Sequence, residues 1–315
     1  MDPDLVRAIR EGFLTVTLTS SGGRITFARG SEFRILDGVE GFGPAPVEYT
    51  STPLPGGGGV RRHSRHAENS LFLPVELRGS SPDHLRRLRR ELEGVILADG
   101  AGTAVTVQVE DDAGVRTQEA FLDGEGHSYS LGGAASHFTW HKIGLTLTAP
   151  VPWWFGPQRE ESWSLSPKRT AWLSRMQDEP GDGTLAVPFG RLRLSESTVQ
   201  GATSVQVAGD ADAEAVLIID GPGEDLEVVN ETTSQRIFIT GDIDETLTID
   251  SRGGWQDIYS DSMRDGEWWA RVNEDAPEEL ITLAPGQNLI RVTMVNAHPQ
   301  SKVRLLYRET YRAGH

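Results

Sequence analysis

The 315-residue chain contains no cysteine. Disulfide scaffolds, Cys-ligated zinc, iron–sulfur clusters and cysteine nucleophiles are excluded together, and no redox compartment can be read. Lysine is almost as scarce: Lys142, Lys168 and Lys302 are the only ones, so arginine supplies nearly all of the 30 basic residues. Long apolar runs are also missing, none reaching the roughly 18 residues of a membrane span. The opening MDPDLVRAIREGF has early acids and no apolar core of signal-peptide length, and reads as a soluble chain without an export signal. No GxxxxGK[ST] loop, HExxH or GxSxG elbow occurs, which removes the commonest nucleotide, zinc and hydrolase signatures. Positive charge is short overall. A formal net charge of -16 argues against a generic nucleic-acid binder, whose affinity comes from basic groups that displace counterions.

What is abundant is turn chemistry. Gly 35 and Pro 17, set among many short apolar runs, point to turn-rich β architecture, and the length suits two domains. Strands are predicted at 13–19 (FLTVTLT) and 24–28 (RITFA) around an SSGG hairpin turn, and at 33–39 (FRILDGV). Residues 40–70 then read as an extended arm, because Pro44, Pro46, Pro53, Pro55 and Gly56 to Gly59 forbid a packed helix or central strand. Loops that long in compact domains are usually functional or disordered.

A strand resumes at 71–77 (LFLPVEL), where Pro74 should confine it to an edge or a bulge. One helix is predicted over 82–94. Ser81 caps it, Pro82 suits its first turn, Asp83 its positive dipole end, and Leu85, Leu88, Leu92 and Val95 make one apolar stripe, with Gly94 helping to end it. Strands at 103–109, 117–122 and 138–148 complete a first domain, 1–150. The proline-aromatic stretch APVPWWFGPQ marks a joint at 151–160.

After a poorly patterned stretch through Trp163, Trp172 and DEPGDG, short strands recur about every 10 residues to the end of a second domain, 161–315. The fold class is mainly β: two β-sandwich domains, the first with one α-helix and an extended arm, the second of jelly-roll or galectin-like type. The last strand, 303–308, is a candidate to return to the first domain. No fixed-period repeat suggests a propeller or solenoid.

Candidate chemistry is sparse. His137 and His141 would share a strand face around Thr139, but no third ligand lies at recognisable spacing, so half-buried imidazoles beside Trp140 are the plainer reading. His63 and His66, in the arm, read the same way. The acids Glu110 to Asp112, Asp210 with Asp212, and Asp242 with Asp244 lack the alternation and distal glutamate of a calcium loop and read as solvated turns. Gly56 to Gly59 have no following Lys-Ser/Thr and read as a flexible hinge. Trp153, Trp154, Trp255, Trp268 and Trp269 offer flat faces for sugar rings, against the commoner fate of tryptophan as packing. Trp255, Trp268 and Trp269 are the candidates for glycan or partner contact. Arg61, Arg62 and Arg65 on the arm, with Arg86, Arg87, Arg89 and Arg90 on the helix, are the candidates for oligomer or partner contact, the bland alternative being solvated charge.

The outline resembles the distal tail proteins of siphophages, of the kind known as minor tail proteins in actinobacterial phages. FRILDGVEGFGPAPV resembles the family's early strand and Gly/Pro-rich turn, SPDHLRRLRRELEGVI its single helix, and TLTAPVPWWFG the segment that closes its first domain. In the second half, VAGDADAEAVLIIDGPGEDLEVVNETTSQRIFITGDIDETLTIDSRGG is similar to the family's Gly-Asp, strand, Gly-Pro, Asn-x-Thr, strand, Ile-Asp progression, and LAPGQNLIRV to its closing Pro-Gly-x-Asn hairpin. Asp210 after Ala208-Gly209 and the long GGWQDIYSDSMRDGEWW insertion depart from the pattern.

The resemblance implies a structural, non-enzymatic virion protein: a ring, usually hexameric, at the tip of a non-contractile tail. Its first domain would surround the channel and its second project outward. Implied partners are further copies of the chain, the tail tube protein, the tape measure protein and receptor-binding or other tail-associated proteins, with a host cell-wall glycan as a further candidate. DNA would pass without being bound, no membrane or cofactor is implied, and synthesis would take place in the host cytoplasm. The competing reading is a carbohydrate-binding module or carbohydrate-active β-sandwich, which has no need of the arm or the helix.

Overall fold

A computed structural model describes residues 15–28, 30–100, 102–123, 128–129, 138–165, 199–253, 256–263, 267–272, 280–298 and 300–315. The chain divides into two compact units, Met1–Pro157 with Thr310–His315, and Gln158–Glu309.

The first unit holds β1 (Thr15–Ser20), β2 (Gly23–Phe27), β3 (Phe33–Ile35), β4 (Val47–Pro53), β5 (Gly59–His66), β6 (Asn69–Arg78), helix α1 (Pro82–Ile96), β7 (Ala104–Asp111), β8 (Gly114–Leu122), β9 (Ser128–Tyr129), β10 (Trp140–Ala149) and the start of β11 (Trp154–Ser164). One run of strands is ordered β2, β1, β7, β8, and another β10, β6, β3, with β8 also touching β10 at Leu122 and Leu147. Period-two alternation sends Leu71, Leu73, Val75 and Leu77 of β6, Val105, Val107 and Val109 of β7, and Ile143, Leu145 and Leu147 of β10 into one core.

Helix α1 closes that core. The Ser81 hydroxyl accepts from the His84 backbone N–H at 3.2 Å, Pro82 stands in the first turn, and Leu85, Leu88, Leu92 and Val95 are buried. Each such side chain, fully buried, contributes roughly 1.5–3 kcal/mol. Gly94 does not end the helix, which runs on to Ile96. The close approach is made instead by Gly22 in the β1–β2 turn, where a Cβ would lie 1.9 Å from the Gly94 carbonyl oxygen. The Ser20 hydroxyl ties the same turn to the Val95 carbonyl at 2.6 Å.

Pro74 corrects an expectation. β6 is no edge strand, since β10 pairs with one side and β3 with the other. The β3 ladder, however, ends at Val75, the residue that follows the proline, and the Pro74 carbonyl accepts from Leu36 N–H at 2.7 Å. The missing donor is accommodated by an interrupted ladder.

The second unit holds the rest of β11, with β12 (Val199–Val207), β13 (Ala213–Asp220), β14 (Gly223–Asn230), β15 (Gln235–Ile243), β16 (Thr246–Asp250), β17 (Asp257–Ser260), a 3-10 turn (Glu267–Arg271), β18 (Thr282–Leu283), β19 (Gly286–Val295) and most of β20 (Lys302–Tyr311). One sheet runs β17, β16, β13, β20 and the other β12, β19, β14, β15. Leu217, Ile219 and Leu305 of the first and Leu226, Val228, Ile237 and Val292 of the second share one core, which makes this unit a two-sheet sandwich. Residues 151–160, read as a joint, contain the first part of β11. The stretch through Trp172 and DEPGDG lies outside the described residues.

Candidate functional site

The arm is a ribbon of two strands. β4 and β5 pair only with each other, from Val47 opposite His66 to Pro53 opposite Gly59, and every residue in both is exposed. The glycines form its tip: Leu54 N–H donates to the Gly58 carbonyl at 3.0 Å, Gly57 N–H donates to the Leu54 carbonyl at 3.1 Å, and Gly57 and Gly58 take positive φ of 93° and 77°, which only glycine adopts without strain. At about 3.3 Å per residue, the seven residues of β4 give a reach of roughly 23 Å.

The root of the ribbon is held by the two adjacent tryptophans. Trp153 meets the His66 imidazole edge-on at 4.7 Å, and Trp154, fully buried, stacks on Phe42 at 5.4 Å. The chain's last residues pack on the same place: Gly314 N–H donates to the Phe42 carbonyl at 2.8 Å, and a Cβ on Gly314 would fall 2.8 Å from the Trp154 ring. Arg116 lies over the Tyr311 ring at 4.3 Å and donates to the Ala313 carbonyl at 3.1 Å. A Pro-aromatic stretch was legible in sequence. Its partners Phe42 and Gly314, distant along the chain, carried no signal.

On the ribbon, the Arg61 guanidinium covers Tyr49 at 5.0 Å, Arg65 pairs with Glu48 at 2.9 Å, and Arg62 reaches Thr52 Oγ1 at 3.4 Å. Tyr49 is the most exposed aromatic of the arm and escaped the sequence reading. On α1, Arg86 pairs with Asp83, Arg87 and Arg90 are exposed, and Arg89 is half-buried.

Of the three candidate tryptophans, Trp268 and Trp269 lie among the described residues. Trp268 is buried, its indole N–H donating to Ser260 Oγ at 3.0 Å and its face covered by Arg271 at 4.6 Å. Trp269 is half-buried and donates to Asp257 at 3.3 Å. Trp255, with part of the insertion around it, lies outside the described residues, as does His137. His141 is buried on β10. Among the described residues no three His, Cys, Asp or Glu gather as metal ligands, and no helix is long and apolar enough to cross a membrane.

Beside Trp268 opens a cleft of about 670 Å3 whose rim carries Asp242, Asp244 and Glu245. Glu245 accepts from the hydroxyl and backbone N–H of Ser262 and, at 2.7 Å, from the Ser260 hydroxyl. These bonds, Ser262's first, hold its carboxyl below the ordinary glutamate range.

No protein-family model matches the chain, and no curated protein does. Solved structures do, in 11 chains. The Dit protein of phage SPP1, described as a paradigm of the hub adsorption apparatus in phages infecting Gram-positive hosts, matches with a TM-score of 0.57 at 12% identity, over 94% of this chain and 98% of its own. A chain of the phage P2 baseplate in its activated conformation with calcium matches at 0.47 and 10% identity, over 93% and 97% of the two chains. The chain thus shares the fold of the SPP1 Dit chain over most of its length.

Proposed function

We propose that this chain is the structural hub at the tip of a non-contractile phage tail. It assembles as a closed ring, most simply a hexamer, that joins the tail tube and tape measure protein to receptor-binding and other host-recognition proteins, and it acts in the virion without catalysis. The observation that carries this reading is the likeness to the SPP1 hub chain over 94% of this chain and 98% of that one, far more than a single sandwich would cover. A solvent-exposed ribbon on an otherwise well-packed unit supports it, because a monomer gains nothing from such an arm. Electron microscopy of the purified full chain, with antibody labelling of intact virions, tests it. Rings from the protein and label at the tail tip are expected, whereas label on another part of the particle, or none, removes the reading.

A further inference from the structure

Both faces of the arm are uncovered, and its charge is opposite to that of the second unit. A two-stranded ribbon alone is marginal in water, so this one needs cover. Its register puts Val47, Tyr49 and Ser51 with His66, Ser64 and Arg61 on one face, and Glu48, Thr50 and Thr52 with Arg65, His63 and Val60 on the other. Arg61, Arg62 and Arg65 against a single acid, Glu48, leave it cationic, while most of the formal charge of -16 falls within Gln158–Glu309. On that unit, Asp242 and Asp244 at the cleft rim are exposed. The same cleft already seats one guanidinium, that of Arg271, over the Trp268 ring and on the Asp242 carbonyl at 3.1 Å.

We propose that the arm of one copy docks through Arg61 and Arg62 on the Asp242–Asp244 rim in the second unit of a neighbouring copy. The contact is heterologous, arm to cleft, so that it repeats around a ring and closes with the ring. Opposite charges set which surfaces meet and in what register, more than they set raw affinity. This inference rests on the ring proposed above.

The absence of cysteine makes the test clean. The full chain carrying both Arg62→Cys and Asp244→Cys is treated with a short bismaleimide, beside each single variant, in preparations imaged for rings. A ladder of cross-linked multimers from the double variant, absent from the singles, is expected. Rings present with no ladder, or a cross-link confined to single chains, overturns arm docking and leaves the ring standing; wild-type protein that forms no ring removes both. In parallel, Arg61→Glu with Arg62→Glu should weaken self-association about tenfold, and adding Asp242→Arg with Asp244→Arg should restore it. Undiminished association in the arginine variant, with duplex DNA binding lost instead, makes the arm a polyanion contact and overturns the proposal.

Discussion

Asn230 donates from Nδ2 to Oδ1 of Asn288 over 3.2 Å, and both side chains are fully buried. Asn230 also donates to the Thr282 carbonyl at 2.8 Å, while Asn288 accepts from Ala284 N–H at 2.9 Å and donates to its carbonyl at 2.7 Å. The end of β14 is thereby tied to β18 and to the turn that leads into β19. The Asn-x-Thr and Pro-Gly-x-Asn segments, far apart in sequence, are two halves of one buried polar network.

Replacing either asparagine by alanine strands the partner's polar groups in the core. A loss of about 1–3 kcal/mol is expected for each. Because the two share a bond, the double variant should lose less than the sum, and a double-mutant cycle by chemical denaturation measures the coupling. Strict additivity would show that the two act separately.

Much of this was legible in sequence where the signal is local. The SSGG hairpin, the Ser81 cap with its leucine stripe, and the regular strands of the second half follow from turn chemistry and periodicity, and the structure has them. The ribbon was seen only as an arm, because prolines and glycines announce that no packed element is present without saying that two polar strands pair with each other. Trp154 was visible as an aromatic, but its burial under Phe42 and Gly314 depends on contacts between residues that no short window joins. The same holds for Trp268, which a DGEWW stretch presents as exposed and which Ser260 and Arg271 enclose.

Trp154→Ala should destabilise the protein by about 3–5 kcal/mol, as truncation of a fully buried aromatic does. Gly314→Leu, whose side chain would be driven into the Trp154 ring, should lower stability in the same direction. Thermal melts of the two variants check this, and an unchanged midpoint for both would show that the arm's root does not depend on this packing.

The arm should be a protease target in the free subunit and protected in the assembly. Arg61, Arg62 and Arg65 offer trypsin sites on a ribbon with no cover. Limited proteolysis of fractionated subunit and ring, read by mass spectrometry, is expected to show cleavage there only in the subunit.

Glu245 predicts a pH signature. Its pKa is lowered from 4.5 in the folded protein by the Ser262 and Ser260 hydroxyls, so its contribution to stability is fully present above that value and is lost as pH falls through the lowered one. The difference in melting temperature between wild type and Glu245→Gln should therefore be largest near neutral pH and vanish in acid. A difference that grows on acidification would contradict the assigned hydrogen bonds.

The central claim is that the chain builds a ring at the tail tip. Single-particle electron microscopy of the purified full chain across a concentration series, paired with imaging of virion tail tips, measures it most directly. The account predicts closed rings with one copy number, six in the simplest case, and a matching ring at the distal end of the tail. A particle that stays monomeric at every concentration, together with a tail tip lacking such a ring, would contradict it.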